Sequence, residues 1–342
     1  MKKACICGSF GFGKTSLNGQ TIKTEIVTEY YLSIFGRDEV YTIDTQGLLN
    51  FLFVPFKLFV AFIKCKNVFI LPAHNSLRLL APLCRIYQSI TSTKTHYLVI
   101  GGWLPHYLRK HQLVFWGIKS FLGIYVETNT MKNALEQLGL KNVMVLPNCK
   151  QLKIENGDAN TISFPPLKLC TFSRINRMKG ISDAVLVVDE INKEYGKLVV
   201  SLDIYGRVDE GEQEWFDILN NNLPIGVCIK GAIDYDKSVS TLKNYHALLF
   251  PTKYFTEGIP GTIIDAYAAG LPVIASKWES CNDVVLHKKT GFVYEFGDNN
   301  ALKTTIVNIM NNPNELFGMK KSCLETAHDY LPENVMSIIN LK

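Results

Sequence analysis

The sequence predicts an α/β protein with two consecutive doubly wound, Rossmann-like domains. Short apolar runs alternate with helix-length segments in the first half of the chain, and this alternation is typical of βαβ units with a parallel sheet. A polar stretch that ends in Pro165-Pro166 interrupts the pattern, which then restarts at LKLCTFS. The length of 342 residues is also too great for one ordinary domain.

Residues 1–150 are predicted to form the N-terminal domain, and residues 151–166 a linker. The strand candidates of this domain are, in chain order, KKACIC, EVYTID, NVFIL, HYLVIGG, GIYVE and NVMVLP. Helices are predicted for TIKTEIVTEYYLSIFG and TMKNALEQLGL. In a domain of this kind we expect ligands near the carboxyl ends of the strands.

Residues 167–342 are predicted to form the second domain, whose last helix is a candidate to cross back to the first. Its strand candidates are LKLCTFS, LVVSLDIYG, VCIKG, ALLFP, LPVIAS and GFVYE. The helical segments IPGTIIDAYAAG and ALKTTIVNIMNN lie between and after them.

The composition is that of a soluble globular protein, with 47% hydrophobic and 20% charged residues. Nine cysteines are dispersed without a Cys-x-x-Cys motif or a Cys/His cluster, so we expect free thiols in a reducing cytoplasm and no metal site. The apolar start of the chain is too short for a signal peptide. These features predict a cytoplasmic location.

Charge is distributed unevenly along the chain. Residues 1–150 carry 17 Lys or Arg against 7 Asp or Glu, whereas the remainder carries 19 against 24. No acidic residue occurs between Asp44 and Glu127, a span that contains nine Lys or Arg. Charge alone leaves membrane lipid, nucleic acid and a merely solvated basic surface open. Of these partners we expect an anionic membrane surface and no nucleic acid.

The segment from Leu48 to Lys66 is the most apolar of the chain, but Pro55, Lys57 and Lys64 interrupt it. A membrane span is therefore not expected. Two readings remain: a helix buried against the sheet, or an interfacial helix whose lysines meet anionic headgroups. An interfacial helix would place the protein at the inner face of the plasma membrane.

Gly8 to Thr15 match the phosphate loop G-x-x-x-x-G-K-[ST], with Lys14 at the phosphate position. The match is weakened by the Asn18-Gly19 turn dipeptide that follows, because a phosphate loop continues directly into a helix. Here the helix is expected to begin near Gln20 or Thr21. DTQG at Asp44 resembles a GTPase motif, but no matching base-recognition motif follows. A P-loop NTPase or GTPase stays as an alternative.

The stretch TEGIPGTIIDAYAAGLPVIAS, from Thr256 to Ser276, carries the most specific signal. Its Gly/Pro-rich turn places Gly261, Thr262 and Ile263 at a helix N-terminus, whose N–H groups and positive dipole end suit a phosphate. Asp265 lies about one turn further along, where a carboxylate can accept hydrogen bonds from a ribose diol.

This stretch resembles the E-x7-E signature of family 4 glycosyltransferases, which have the GT-B fold. The similarity extends through FSRINRMKG, LDIYGRV, VCIKGAID, ALLFPTKYFTEGIPG and KKTGFVYEFGD. Ser173 stands where the family usually has glycine, and Asp265 replaces the second glutamate of the signature. The first half of the chain matches more loosely, through the glycine-rich loop and VLPN.

The resemblance implies a role for each matched residue. Arg174 and Lys179 would neutralise the diphosphate of a nucleotide-sugar donor, and Glu257 would orient the donor sugar. Further donor contacts would come from Asp265, Gly258, Gly261, Thr262, Ile263, Asn18 and Gly19. On the residues alone, the basic pair could be solvated, Glu257 could cap a helix and Asp265 could be a surface residue.

His106, in GGWLPHYL, and Lys14 are candidates on the acceptor side. A surface or core role for His106 is equally compatible with the sequence, and His74 is expected to be structural.

The resemblance therefore implies a retaining glycosyltransferase that moves a hexose-type sugar from a UDP-sugar to a saccharide and needs no metal ion or other cofactor. The acceptor is expected to be lipid-linked, as in capsule or exopolysaccharide assembly. A catalytically silent partner subunit of another glycosyltransferase remains a further alternative.

Overall fold

The computed structural model describes residues 1–10, 19–155, 163–339 and 341, and the chain forms two compact units. Unit 1 consists of Met1–Gln151 together with Tyr330–Lys342, and unit 2 of Leu152–Asp329. Each unit contains one six-stranded sheet whose strand pairs are all parallel. The prediction of two doubly wound α/β halves is confirmed.

The strands of unit 1 are β1 (Lys2–Gly8), β2 (Val40–Asp44), β3 (Cys65–Ile70), β4 (Lys94–Leu98), β5 (Gly123–Val126) and β6 (Val143–Val145). Its helices are α1 (Gly19–Phe35), α2 (Leu48–Lys64), α3 (His74–Ile90), α4 (Leu104–Leu108), α5 (Gln112–Ile118) and α6 (Asn129–Gln137), with a 3-10 turn at Arg37–Glu39. The strand order is β2-β1-β3-β4-β5-β6.

The helices of unit 1 cover both faces of the sheet because the connection after β1 runs one way and the later connections run the other. Alternate residues of β1 consequently enter two different cores. Cys5 and Cys7 pack with Val54 of α2 and Leu77 of α3. On the opposite face, Ile6 packs with Ile26 and Val27 of α1.

The strands of unit 2 are β7 (Leu167–Phe172), β8 (Val200–Tyr205), β9 (Val227–Gly231), β10 (Ala247–Phe250), β11 (Val273–Ser276) and β12 (Gly291–Tyr294). Its helices are α7 (Ile181–Tyr195), α8 (Gln213–Asn221), α9 (Ser238–Leu242), α10 (Gly261–Ala268), α11 (Cys281–Val284), α12 (Asn299–Asn311), α13 (Pro313–Phe317) and α14 (Lys320–Ala327). Short 3-10 turns lie at Arg177–Lys179, Tyr235–Lys237 and His328–Tyr330. The strand order is β12-β11-β10-β7-β8-β9.

The last helix, α15 (Pro332–Met336), belongs to unit 1 although it follows unit 2 in the chain. Its Val335 and Met336 are buried in the same core as Ile26 and Tyr31 of α1. The C-terminal segment therefore completes the core of unit 1 on the face that α1 covers.

The apolar segment that begins at Leu48 forms α2, which ends at Lys64, and Lys66 lies in β3. Val54, Leu58 and Phe62 of this helix are fully buried against the sheet, as one of the two readings required. Among the described residues, no helix combines the length and the apolar character that crossing a bilayer would require.

Candidate functional site

The sheet of unit 2 changes direction between β7 and β10, which are adjacent and parallel. From β7 the chain continues to β8 on one side, and from β10 it continues to β11 on the other. The connections that leave the carboxyl ends of β7 and β10 therefore diverge and leave a crevice between them. In open α/β sheets, ligands bind at this position.

Lys179 and Glu257 meet at this crevice. The Nζ of Lys179 lies 2.5 Å from Oε1 of Glu257, and both side chains are largely buried. Lys179 comes from the connection after β7 and Glu257 from the connection after β10, so they lie 78 positions apart in the chain. The fold thus pairs a cation that suits a phosphate with a carboxylate that suits sugar hydroxyls.

Thr252 and Tyr254 hold this ion pair in place. The hydroxyl of Thr252 donates to Oε1 of Glu257 at 3.1 Å, and it accepts the backbone N–H of Tyr254 at 3.1 Å. The ammonium of Lys179 lies 5.0 Å from the centre of the Tyr254 ring, within range of a cation–π interaction. Sequence reasoning did not single out either residue, although both lie in the quoted stretch ALLFPTKYFTEGIPG.

Gly180 allows the two connections to approach each other. Its φ of 69° lies in the left-handed region, and a Cβ at this position would come within 1.8 Å of the carbonyl oxygen of Pro251. Two constraints therefore require glycine after Lys179: the close approach of Pro251 and the left-handed backbone conformation. It is the residue that lets Lys179 reach Glu257.

Arg174 occupies a different environment from Lys179. Its Nη1 lies 3.2 Å from Oδ2 of Asp209, and Asn176 donates a hydrogen bond to the same oxygen at 2.7 Å. The Arg174 side chain is 65% exposed, so its guanidinium is accessible to a ligand. The sequence placed Arg174 beside Lys179 as a basic pair, but it did not identify Asp209, whose only signal was its place after the strand β8.

Helix α10 begins at Gly261, as the sequence predicted, with Pro260 as its N-cap residue. Gly258 and Ile263 are buried on either side of this start. The N–H of Ile263 donates to the carbonyl of Pro260 at 3.0 Å, whereas the N–H groups of Gly261 and Thr262 have no acceptor within the helix. Asp265 is only 2% exposed, which excludes its reading as a surface residue. Because the N-cap residue is Pro260, Glu257 does not occupy the capping position.

Thr262, in the first turn of α10, carries a buried hydroxyl without a partner. Its Oγ1 makes no hydrogen bond to any described residue although the atom is shielded from solvent. Buried polar atoms in folded proteins are almost always satisfied, and an orphan needs an explanation.

In unit 1, the start of the glycine-rich loop is held by Asp44. Its Oδ1 accepts the backbone N–H groups of Phe10 at 3.2 Å and Gln46 at 3.0 Å. Asp44 of the DTQG motif thus holds the backbone at Phe10, just after β1. Gly19 is the first residue of α1, one position before the predicted start, whereas Lys14 and Asn18 lie outside the described residues.

His106 is exposed on the short helix α4 of unit 1. The neighbouring His74 stacks on Trp103 with 3.7 Å between ring centres, and burial lowers the pKa of His74. The hydroxyl of Tyr107 donates to the backbone carbonyl of His74 at 2.8 Å. These contacts are compatible with the structural role expected of His74, which stays a prediction.

The family model of the glycosyl transferases group 1 matches residues 153–325, slightly more than half of the chain. The chain belongs to this family. The matched range contains Arg174, Lys179, Glu257 and Asp265, and hence all the candidate site residues of unit 2. Membership in this family favours a glycosyltransferase over the P-loop hydrolase that the match at Gly8 to Thr15 had suggested.

Two curated glycosyltransferases are similar to part of this group 1 chain. An uncharacterized glycosyltransferase of Methanocaldococcus jannaschii is 21% identical over 169 residues, which is 49% of this chain and 41% of that protein. The capsular polysaccharide biosynthesis glycosyltransferase CapM of Staphylococcus aureus is 32% identical over 143 residues, 41% of this chain and 35% of CapM. The matches thus span less than half the length of either relative.

Two solved structures resemble this group 1 chain over nearly its whole length. HepE of Anabaena, solved in complex with UDP, has a TM-score of 0.76 at 15% identity and covers 99% of this chain and 98% of its own. Sucrose-phosphate synthase of Thermosynechococcus elongatus has a TM-score of 0.78 at 17% identity, with coverage of 99% and 97%. At these identities the likeness carries the fold, and it confirms the GT-B fold class.

Proposed function

We propose that this chain is a retaining glycosyltransferase that moves a hexose-type sugar from a UDP-sugar to a saccharide acceptor. The observation that carries the proposal is the Lys179–Glu257 pair at the crevice of unit 2. The pair offers a cation for a phosphate and a carboxylate for sugar hydroxyls, which suits a diphosphate joined to a sugar.

The donor base and the acceptor are proposed from the relatives. HepE was solved with UDP-glucose, and a pneumococcal O-GlcNAc transferase of similar structure was solved with UDP and GlcNAc. CapM acts in capsular polysaccharide biosynthesis. For this chain we propose a UDP-sugar donor and a lipid-linked saccharide acceptor in surface polysaccharide assembly, at the cytoplasmic face of the membrane.

In the proposed reaction, the bond between the anomeric carbon and the β-phosphate oxygen breaks, and a bond from the same carbon to the acceptor oxygen forms on the same face. The acceptor proton passes to the leaving phosphate. Lys179, Arg174 and the N-terminus of α10 stabilise the negative charge that develops on the diphosphate. In this proposal, Lys179, Arg174 and the N-terminus of α10 take the role that a metal ion has in other transferases. Metal-independent transfer is a prediction.

Glu257 and Asp265 are proposed to bind the two sugars of the donor. The carboxylate of Glu257 accepts hydrogen bonds from the transferred sugar, and Asp265 accepts them from the ribose. Lys14, Asn18, Gly19 and His106 remain candidates from unit 1 for the diphosphate or the acceptor.

The test is binding of UDP-, GDP- and ADP-sugars by isothermal calorimetry, with Arg174→Ala and Glu257→Ala beside the parent. We expect the UDP-sugar to bind most tightly and both substitutions to weaken it. Lys193→Ala is the matched control, because Lys193 forms an exposed ion pair with Asp189 on α7. Parent-like affinity in both site variants would contradict the site assignment. In a separate assay of sugar transfer, turnover that requires a second protein would favour the silent partner subunit.

A further inference from the structure

Helix α2 of unit 1 is apolar on two opposite sides. Val54 and Leu58 are buried in the core, as a helix that covers a sheet requires. Leu52, Phe56 and Ile63 point away from that core and are 66%, 70% and 53% exposed. A helix that is apolar all round is normally covered on all sides, so the outer stripe of α2 is unusual for a surface in water.

The neighbouring helices extend this apolar stripe. Ile86 and Ile90 of α3 are exposed, and so are Leu113 and Trp116 of α5. Their spacing within each helix places them on the outer side, because residues three or four positions apart share a helix face. Three helices of unit 1 therefore each contribute exposed apolar side chains.

Direct contacts join the three helices into one surface. The rings of Phe59 on α2 and Tyr87 on α3 have centres 5.2 Å apart, and the Tyr87 hydroxyl donates to the carbonyl of Pro55 at 3.3 Å. The guanidinium of Arg85 on α3 lies 4.2 Å from the ring centre of Trp116 on α5. We define the α2–α3–α5 face by the exposed side chains of Leu52, Phe56, Ile63, Ile86, Ile90 and Trp116.

The charged residues of the segment that forms this face have one sign. The chain from residue 45 to residue 126 contains nine Lys or Arg and no acidic residue, and it includes all three helices. Lys57 and Lys64 lie on α2 itself, and Arg85 lies beside Trp116. A face that combines apolar side chains with cations alone is complementary to an anionic lipid leaflet.

The same charges disfavour a second copy of this chain as the occupant. Two copies that met through this face would bring the basic side chains of both together, and like charges across an interface repel. In the part of the chain that the structure describes, no helix is long and apolar enough to cross a bilayer. The remaining arrangement is a helix layer that lies in the plane of the headgroups.

We infer that the α2–α3–α5 face docks unit 1 on an anionic bilayer, with Phe56, Ile63 and Ile86 in the acyl boundary and the lysines at the headgroups. The docking surface deepens the proposed function, since a lipid-linked acceptor would be presented at such a membrane, and it rests on that proposal only for the acceptor. The docking surface does not depend on the donor chemistry of unit 2.

The experiment is flotation of the full chain with vesicles of phosphatidylcholine alone or of phosphatidylcholine with phosphatidylglycerol. The test variant carries Ile63→Ser and Ile86→Ser, and a second variant carries Phe56→Ser. The matched control carries Ile218→Ser and Ile225→Ser on unit 2, where the same residue type is 61% and 86% exposed. All these side chains are at the surface, so the fold is expected to survive each change.

We expect the parent and the control to float with anionic vesicles and to be released as NaCl rises from ~0.05 M to ~0.5 M. The Ile63/Ile86 and Phe56 variants should lose about tenfold in vesicle affinity or more. Parent-like flotation of both variants would overturn the inference, and so would a parent that binds no vesicles. Light scattering that shows a dimer in the parent and a monomer in the variants would assign the face to a second copy instead.

UDP-sugar binding, measured on the same proteins, separates this inference from the proposed function. The Ile63/Ile86 variant should bind the donor as the parent does, and Glu257→Ala should float as the parent does. A chain that floats but binds no nucleotide sugar would retain the docking surface and lose the donor assignment.

Discussion

Lys179 and Glu257 form an ion pair at the carboxyl edge of the unit 2 sheet, with Nζ and Oε1 2.5 Å apart and both side chains mostly shielded from water. Each comes from a different connection of the sheet, and their charges offset each other where both side chains are mostly buried. Their pairing holds a cation and a carboxylate ready for a ligand that needs both.

Replacing Lys179 by alanine is expected to weaken UDP-sugar binding about 10- to 100-fold, because a charge-assisted hydrogen bond to a diphosphate contributes about 1.5–3 kcal/mol. Calorimetry measures the change, and Lys193→Ala serves as the control. An unchanged affinity would show that the ammonium of Lys179 does not contact the donor.

Thr262→Val should separate stability from ligand binding. Removal of a buried hydroxyl without a partner leaves the stability of the free protein unchanged or raises it by about 1 kcal/mol, whereas donor affinity falls. Thr262→Ser keeps the hydroxyl and should keep the affinity. Urea unfolding and calorimetry give the two readouts; a valine variant that binds the donor as well as the parent would contradict the role of Thr262.

Gly180→Ala should destabilise unit 2 by ~3 kcal/mol or more, because it adds a clash with Pro251 to the cost of a left-handed backbone. Gly196 is the matched control. Its φ of 63° is similar, but nothing lies within 4 Å of a Cβ at that position, so Gly196→Ala should cost only ~1 kcal/mol. Equal losses in urea unfolding would mean that the approach of Pro251 contributes nothing.

His96 should make the protein less stable in mild acid. Burial, with a smaller effect of Lys94, lowers the pKa of His96 from 6.5 to about 4, so the native protein binds fewer protons there than the unfolded chain. Stability from the neutral ring is present above pH 6.5 and is lost as the pH falls towards 4, by about 2 kcal/mol between pH 7 and pH 5.

His96→Gln should reduce this difference in urea unfolding between pH 7 and pH 5, because an amide does not titrate in that range. In the parent, the neutral ring can donate from Nε2 to Oδ1 of Asn67 at 3.2 Å and accept from the hydroxyl of Tyr125 at 3.1 Å. Burial raises the pKa of Tyr125 to about 12, which keeps that hydroxyl a donor. If the variant lost as much stability as the parent between pH 7 and pH 5, groups other than His96 would cause the acid sensitivity.

Glu127→Ala should destabilise unit 1 by about 3–5 kcal/mol, since it leaves the ammonium of Lys23 buried without its carboxylate. The two groups are 3.0 Å apart and 2% exposed. Glu136→Ala is the control, because Glu136 forms an exposed pair with Lys132 whose loss should cost under about 1 kcal/mol. Similar losses for both variants would contradict a buried-charge effect.

All twelve strand candidates of the sequence correspond to strands, and the helix that GIPG opens begins at the last residue of that turn, Gly261, as expected. Local patterns suffice for these elements because parallel strands are buried on both faces and therefore form short apolar runs. The signature around Glu257 and Asp265 could also be recognised from the sequence, because the two residues are joined by one short turn and the first turn of one helix.

Other features depend on residues that are distant in the chain, and only the tertiary structure decided them. The contact of Lys179 with Glu257 and that of Arg174 with Asp209 each require two connections of the sheet to meet. The α2–α3–α5 face likewise could not be seen from the apolar run at Leu48 alone, because the sheet buries one stripe of α2 and leaves the other exposed. The sequence by itself determined the elements and the residue types at the site. Their pairing and exposure follow from which elements pack together.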